Sequence, residues 1–287
     1  MWSHICQHIS EVTQSNFACN KPKLLSIGQA NQCYELACDE QQYFVKLAEK
    51  RFFNQLEAEV VNLVGLQKSQ HFMVPKVICS GQVSTKSYLV LELLQLSKTV
   101  DEEDYHAFGM SLAKLHQFEP AQMYGWQEDN YIGPTVQPNQ WHKKWSSFFA
   151  EQRIGYQLQL LKDVGHSFGD IDNIIANIKQ LLHHYQPQAS LLHGDLWHGN
   201  CGFIAQQPCI FDPACYYGDR ETDIAMAELF GHFPTAFYKG YDAIWPLDSG
   251  YSYRKPIYQL YHVLNHALMF GDPYIASANS ILINLES

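Results

Sequence analysis

Three polar residues at fixed intervals, Asp195, Asn200 and Asp212, constrain this 287-residue chain more than any other feature. Asp195 comes shortly after the apolar residues 190–192, and Asp212 directly follows the apolar residues 209–211. Carboxylate and amide oxygens are hard ligands that suit magnesium, and a further carboxylate beside them can act as a base. The pattern predicts a site built on two strand-ending loops, with Asp195 as the base and with Asn200 and Asp212 as metal ligands.

The spacing of these residues is that of a kinase phosphotransfer centre. Protein kinases combine a catalytic loop of the form H-R-D-x-x-x-x-N with a later D-F-G. This chain keeps the distance from Asp195 to Asn200, but it has Gly194 in place of Arg and Pro213-Ala214 in place of Phe-Gly. The replacements point to a kinase of small molecules rather than of proteins.

The order of predicted elements agrees with this interpretation. Hydrophobic periodicity predicts an N-terminal helix, strands at 24–28, 32–37 and 42–47, a helix at 54–66, and strands at 76–81 and 87–93. Helical patterns follow at 101–117, 140–162, 170–185, 221–230, 235–244, 255–270 and 274–284. We therefore expect an α+β, two-lobed protein-kinase-like fold. Residues 1–95 would form a small antiparallel-sheet N-lobe with one main helix, and residues 96–287 a larger, mainly helical C-lobe.

Lys46 is the predicted anchor for nucleotide phosphates. A lone lysine on a strand is usually a solvated surface residue, but Lys46 precedes the catalytic motif in the order that kinases use. Glu59, on the following predicted helix, is the candidate partner of Lys46. Glu57, on a different helical face, is a weaker alternative.

The remaining nucleotide-side signals are weaker. Gly28 is a single glycine where kinases often have two or three, and it is the candidate for a backbone contact with phosphate. Glu92 and Leu94 end the last N-lobe strand, where a kinase hinge presents backbone groups to adenine, although an ordinary buried strand fits the same pattern. ATP and Mg²⁺ are the expected cofactors.

A zinc site is the metal-centred alternative for the same stretch. His193, Asp195 and His198 are acceptable zinc ligands that would leave one position open for water. This reading leaves Asn200 and Asp212 without a role, so the phosphotransfer interpretation is preferred.

Composition limits the partners and the compartment. The formal net charge of -10 argues against nucleic acid or an anionic membrane as the main partner. The 8 cysteines contain no C-x-x-C pair, which favours reduced thiols in a cytoplasmic protein. No apolar run long enough to cross a bilayer is visible.

The chain resembles the fructosamine kinase family, also called ketosamine-3-kinases, within the aminoglycoside-phosphotransferase branch of the protein-kinase-like fold. Residues 191–200 and 212–223 carry the most specific part of the likeness, with further motifs at 124–126, 129–133, 137–141 and 258–266. The resemblance implies ATP-dependent phosphorylation of the 3-hydroxyl of a ketosamine, borne by a small amine or by a lysine of a glycated protein. The phosphorylated product is unstable and releases the free amine, which implies a role in deglycation repair.

The resemblance also directs attention to the acceptor side of the site. Trp197, beside the predicted base, has an indole that can pack against a sugar face, and Asn130, Gln137, Asn139 and Trp141 are weaker substrate candidates. His198 stands where family members commonly have Ser, so it is expected either to alter the acceptor side or to add a titrating group near Asp195. For Asp219, Arg220 and Asp223 structural support of the catalytic loop is the first interpretation.

Two rival functions stay open on the sequence. The first is a kinase of another small hydroxylated substrate, such as an aminoglycoside, choline or a sugar. The second is a catalytically weak, nucleotide-binding regulatory module, which the single glycine at Gly28 would suit. The preferred ketosamine and the oligomeric state are not predicted.

Overall fold

A five-stranded antiparallel sheet and two α-helices form the N-terminal part of the protein. The computed structural model describes residues 1–19, 21–28 and 31–286. The elements are α1 (Trp2–Thr13), β1 (Lys23–Ile27), β2 (Asn31–Cys38), β3 (Gln41–Glu49), α2 (Phe53–Gln67), β4 (Val77–Val83) and β5 (Lys86–Glu92). The strands lie in the order β1-β2-β3-β5-β4, which places β3 at the centre.

The central strand β3 has different neighbours on its two faces. Val45 and Leu47 are buried in a small apolar cluster that includes Ile5 and Ile9 of α1. Ala48 belongs instead to the main core of the protein. Because successive side chains on a strand point to opposite faces, Lys46 emerges on the side away from α1.

Helices dominate the rest of the chain. They are α3 (Glu102–Gln117), α4 (Trp145–Phe148), α5 (Tyr156–Asp163), α6 (Ile171–Leu181), α7 (Glu221–Leu229), α8 (Thr235–Ile244), α9 (Tyr251–Phe270) and α10 (Tyr274–Glu286). A π-helical segment, Phe149–Gly155, joins α4 to α5. The core between these helices is rich in aromatic side chains, including the fully buried Trp145, Phe149 and Tyr258.

Three short strand pairs interrupt the helices and carry the predicted site. Their strands are β6 (Asn130–Ile132), β7 (Thr135–Gln137), β8 (Ser190–Leu192), β9 (Cys201–Ile204), β10 (Gln207–Ile210) and β11 (Tyr216–Gly218). Strand β6 pairs with β7, β8 with β11, and β9 with β10. The last two pairings hold the loop from His193 to Asn200 against the loop from Phe211 to Cys215. Two backbone hydrogen bonds join the loops, from Ala214 N to His193 O at 2.9 Å and from Phe211 N to Asn200 O at 3.0 Å.

Most predicted elements are present, with three differences. Residues 118–139, for which no helix or strand was predicted, contain the hairpin β6–β7. The single helix expected at 140–162 is divided by the π-helical segment, and α9 begins at Tyr251, before the expected 255, and includes Pro256.

Within the described ranges, no helix combines the length and the apolar character needed to span a membrane.

Candidate active site

Lys46 is buried and pairs with two carboxylates. Its side chain is 4% exposed, and its Nζ lies 2.8 Å from Oε1 of Glu59 and 2.7 Å from Oδ1 of Asp212. Burial alone would lower the pKa of Lys46, but attraction to Asp212 and Glu59 raises it above its ordinary value. The pairing expected between Lys46 and Glu59 is therefore present, and the ammonium group is charged at any physiological pH.

Asp195 and Asn200 lie side by side, in the same cavity wall as Lys46 and Asp212. The Nδ2 of Asn200 donates to Oδ2 of Asp195 at 3.0 Å and to the Asp195 carbonyl at 2.9 Å. Burial raises the pKa of Asp195 to about 7, an effect that the Asn200 hydrogen bond opposes and the charge of Asp212 strengthens. A carboxylate with a pKa near neutrality is well matched to accepting a proton from a hydroxyl group.

The backbone around these residues explains the departures from the protein-kinase motif. Gly194 has a φ of +83°, and a Cβ atom there would lie 2.0 Å from the carbonyl oxygen of Ala214. Only glycine fits this close approach, so the arginine of protein kinases is sterically excluded. Asp212 is also left-handed, with a φ of +54°, a conformation that costs a residue with a side chain about 1–2 kcal/mol.

Asp223, at the start of α7, holds the catalytic loop from behind. Its two carboxylate oxygens accept the backbone N–H groups of His193 at 2.8 Å and Gly194 at 2.9 Å. Although burial favours the protonated acid, the hydrogen bond from His116 and further partners lower the pKa of Asp223 below its ordinary value. Asp223 is therefore a buried anion that fixes the loop, as expected from the sequence.

The neighbours of Asp223 complete this support. Asp219 accepts the backbone N–H of Glu221 at 3.1 Å and so caps the first turn of α7. Arg220 donates to the carbonyls of Trp245 at 2.6 Å and Pro246 at 2.7 Å. Both side chains therefore have structural contacts, but those of Arg220 are with the segment after α8 and not with the catalytic loop.

His193 is used by the loop itself. Its Nε2 lies 3.0 Å from the carbonyl of Phe211, and its Nδ1 accepts the backbone N–H of Asp195 at 3.2 Å. Burial lowers the pKa of His193, so the ring is neutral with its proton on Nε2. Both ring nitrogens are occupied, and no cluster of three or more His, Cys, Asp or Glu that could hold a metal is found in the described part of the chain. The zinc alternative is therefore not supported.

One cavity of about 200 Å³ brings the predicted catalytic groups together. Its walls include Lys46, Glu59, Asp195, Trp197, Asn200 and Asp212, together with Asn31, Gln55, Ala58, Asn62, Tyr131, Gly133 and Pro213. The indole of Trp197 packs over Gly199, where an added Cβ would lie 2.3 Å from the ring. Trp197 is 38% exposed and faces the cavity beside the predicted base.

A second, more apolar cavity of about 270 Å³ lies on the other side of Asp212. It is lined by Glu92 and Leu94 with Leu25, Ser26, Cys33, Phe44, Pro75, Leu91, Leu93, Leu96, Phe211 and Asp212. The N–H of Glu92 is already bonded to the Lys76 carbonyl at 2.8 Å. The size and lining suit a flat aromatic base, and Asp212 borders both cavities.

Gly28 follows β1, and its N–H donates to the Asn31 carbonyl at 2.8 Å. Asn31 lines the first cavity. Gly28 is therefore hydrogen-bonded to a residue of the cavity wall. Residues 29 and 30, which complete the expected phosphate loop, lie outside the described residues.

Four of the substrate-side expectations need correction. Asn130, Gln137 and Asn139 are only 0%, 0% and 1% exposed, and their amides bond to one another and to the backbone, so they are not free to touch a substrate. Trp141 is 41% exposed but packs beside Tyr217, at 6.2 Å between ring centroids, and is not part of the cavity wall. The polar sequence around Asn130, Gln137 and Asn139 gives no sign of burial, but long-range contacts bury all three.

His198 also differs from expectation. Its ring packs edge-on against Phe233 at 4.3 Å, and its Nε2 lies 3.3 Å from the carbonyl of His232. The imidazole is therefore directed to the residues that precede α8 and not to the cavity that holds Asp195.

The donor set fits a hydrated magnesium ion. Asn200 and Asp212 offer an amide oxygen and a carboxylate on the wall of one cavity, and Mg²⁺ is commonly held by one or two such groups plus phosphates and water. The neighbouring Lys46 ammonium supplies the fixed positive charge that phosphate oxygens need.

Comparison with known proteins agrees with this geometry. The sequence model of the fructosamine kinase family matches residues 1–287. A protein named "Probable ketoamine kinase" from Vibrio vulnificus (strain CMCP6) is 45% identical over 287 residues, covering 100% of both chains. The chain belongs to the fructosamine kinase family. A second "Probable ketoamine kinase", from Synechocystis, is 44% identical over 98% of this chain and 95% of its own.

Two solved structures share the fold of this chain. A provisionally named fructosamine-3-kinase from Haemophilus somnus 129PT has a TM-score of 0.95 and 36% identity, covering 100% of this chain and 98% of that chain. Aminoglycoside phosphotransferase APH(4)-Ia, in a ternary complex with AMP-PNP and hygromycin B, has a TM-score of 0.64 and 15% identity over 96% of each chain, a likeness of fold alone. The predicted fold class is confirmed, and this fructosamine kinase family member is an ATP-dependent phosphotransferase.

Proposed function

We propose that this chain transfers the γ-phosphoryl group of ATP to the 3-hydroxyl of ketosamines. The observation that carries the proposal is the shared cavity in which Asp195 and Trp197 face Lys46, Asn200 and Asp212. Family membership supports the ketoamine class of substrate. The unstable sugar phosphate would release a free amine, which makes the reaction a deglycation step.

The nucleotide would bind across the two cavities. The adenine fits the apolar cavity, where the backbone of Glu92 and Leu94 is the candidate hydrogen-bonding edge. The phosphates would lie beside Lys46, which Glu59 holds in position from α2. Gly28 is the candidate for a further backbone contact with phosphate.

Asn200 and Asp212 are the proposed ligands for Mg²⁺, which would neutralise charge on the transferred group. Asp195 would accept the proton of the acceptor hydroxyl, since its raised pKa gives it sufficient basicity without permanent protonation at pH 8. Trp197 would hold the sugar face so that this hydroxyl points at the γ-phosphate.

All 8 cysteines described in the structure are free thiols. This supports action in a reducing compartment, which we propose to be the cytoplasm. Both small ketosamines and glycated proteins are proposed as acceptors, because the cavity opens to solvent beside the exposed Trp197.

The test is direct phosphorylation. The purified protein would be incubated with ATP, Mg²⁺ and either ribulosyl-lysine, fructosyl-lysine or a glycated carrier protein, and the products followed by phosphorus NMR. A new sugar-phosphate resonance is expected, and the Asp195→Asn variant should not produce it. Absence of turnover across the ketosamine panel, with turnover of choline or an aminoglycoside instead, would replace the proposed substrate class.

A further inference from the structure

Four amide side chains form a buried cluster behind the segment that follows Asp212. They are Asn62 of α2, Asn130 of β6, Gln137 of β7 and Asn139, and each is 1% exposed or less. The Oδ1 of Asn130 accepts from Gln137 Nε2 at 2.7 Å and from Asn139 Nδ2 at 2.9 Å. The Nδ2 of Asn130 donates to Asn62 Oδ1 at 3.1 Å.

The cluster donates to three consecutive backbone carbonyls. Asn62 Nδ2 bonds to the Pro213 carbonyl at 3.1 Å, and Gln137 Nε2 bonds to the Ala214 carbonyl at 3.1 Å. The carbonyl of Cys215 accepts from Asn130 Nδ2 at 2.7 Å. Each of the three carbonyl groups from Pro213 to Cys215 therefore accepts a hydrogen bond from the cluster.

Other contacts fix the cluster to the large core. Arg153, in the π-helical segment, donates through Nη2 to Asn139 Oδ1 at 2.7 Å. Tyr261 of α9 donates its hydroxyl to Gln137 Oε1 at 2.7 Å. The amides are thus held from behind by two helices while they hold the loop in front.

This arrangement bears on the direction of the Asp212 side chain. Asp212 is in the left-handed region, with a φ of +54°, which is stable for a non-glycine residue only when its surroundings enforce it. If the peptide units after it were released, Asp212 could return to an ordinary backbone conformation, and its carboxylate would leave the cavity wall.

We propose that Asn62, Asn130 and Gln137 are positioning residues that aim the Asp212 carboxylate at the metal. They act through the carbonyls of residues 213–215. Asn62 also borders the cavity, but its Nδ2 is bonded to the Pro213 carbonyl and its Oδ1 to Asn130. The inference rests on the proposed function, because it takes Asp212 as a magnesium ligand. Its specific consequence is that loosening the cluster weakens metal binding, a defect that added metal can overcome.

The experiment compares two loosened variants with a matched control in the full-length protein. Asn62→Leu and Gln137→Met each remove a donor to the 213–215 carbonyls from a different element. Tyr261→Phe also removes one buried hydrogen bond from the cluster, but none to those carbonyls. Manganese binding in the presence of AMP-PNP would be measured by electron paramagnetic resonance, and turnover would be measured against magnesium concentration.

The half-saturating metal concentration should rise about tenfold in both loosened variants, as is usual when support for a metal ligand is lost. Turnover at saturating magnesium should recover, and Tyr261→Phe should bind metal as the wild type does. A merely structural role would lower thermal stability in all three variants without a selective change in metal binding, and that outcome overturns the proposal. If one loosened variant does not fold, the metal binding of the other is compared with the control in the same way. If neither folds, Asn62→Ser, which keeps a small polar side chain, replaces both.

The Asp212→Asn variant separates this inference from the proposed function. Loss of manganese binding in Asp212→Asn with normal binding in the loosened variants would overturn the positioning role alone. Normal manganese binding in Asp212→Asn would overturn both the metal assignment and the inference built on it.

Discussion

The Nζ of Lys46 lies 2.7 Å from Oδ1 of Asp212, although the two residues are 166 positions apart in the chain. This ion pair joins the central strand of the sheet to the loop that follows β10. It also places the proposed phosphate anchor next to a proposed metal ligand. Because Glu59 occupies the other side of the ammonium group, α2 is linked to the same point.

The Lys46–Glu59 pair can be tested on α2 itself. Glu59→Gln should raise KM for ATP by about tenfold or more, since a hydrogen bond to a charged group contributes about 1.5–3 kcal/mol. Glu57→Gln, two positions earlier on the same helix, is the matched control and should leave KM for ATP unchanged. Steady-state kinetics with varied ATP at saturating acceptor would measure both. An equal effect of the two substitutions would show that the ion pair does not position Lys46.

The pH dependence should follow Asp195. Its pKa is raised by burial to about 7, and only the ionised form accepts a proton, so kcat/KM should fall as pH decreases through this value. The Asp195→Asn variant should lose activity by about 10²–10⁴-fold and show no such step, while nucleotide binding persists. A profile measured from pH 5 to 9 that is flat in the wild type would contradict the assignment.

The same pKa makes a prediction about stability. A carboxyl group with a higher pKa in the folded than in the unfolded state binds protons more tightly when folded, so its contribution to stability declines as pH rises from about 4 to about 7. The Asp195→Asn variant has no carboxyl group at this position and therefore lacks this decline of stability with rising pH. The melting temperature of the variant relative to wild type should therefore be higher at pH 8 than at pH 5, as measured by differential scanning calorimetry. No change in that difference with pH would show that burial does not disfavour the Asp195 charge.

Alanine substitutions at Gly194 and Gly165 distinguish a steric clash from backbone strain. Gly194→Ala should lower the free energy of unfolding by more than about 3 kcal/mol and abolish activity, because the new methyl group would overlap the Ala214 carbonyl. Gly165→Ala is the control: its φ is +95°, but no atom lies within 4 Å of the added Cβ. It should cost only about 1 kcal/mol, the usual penalty of a left-handed alanine. Urea denaturation would measure both, and equal costs would refute the clash.

Two tryptophans of similar exposure test acceptor binding. Trp197 is 38% and Trp141 is 41% exposed, but only Trp197 lines the catalytic cavity. Trp197→Ala should raise KM for the ketosamine at least about tenfold, given the large contact area that an aromatic ring loses. Trp141→Ala should leave it unchanged. A similar rise in both variants would mean that the acceptor extends to the Trp141 surface.

The grouping of the candidate site residues was predictable from sequence because these residues occur in a fixed order. Asp195, Asn200 and Asp212 follow strands whose ends must meet, and Lys46 and Glu59 precede them on a central strand and its helix. The helical and strand patterns also predicted most helices and the five strands of the sheet, but not the short strands of the remaining chain, since hydrophobic periodicity is a local property.

The buried amides and His198 were not predictable in the same way. Asn130 contacts a carbonyl 85 positions away, and its neighbours show no hydrophobic pattern that would reveal burial. Asn62 lies within a helix that the hydrophobic pattern predicts, but a polar residue in that helix gives no sign of being buried. The orientation of His198 depends on Phe233, which belongs to a distant segment.

Because the two faces of β3 pack against different clusters, the N-terminal helix α1 helps to fix the register of this strand. A shift of β3 by one residue would move the Lys46 ammonium into the cluster around Ile5 and Ile9, and would move Val45 or Leu47 to the phosphate side. Without α1 that face of the sheet would meet water, and the misaligned strand would be far less penalised. A helix with no residue in the cavity wall thus favours the register in which Lys46 faces Glu59 and Asp212.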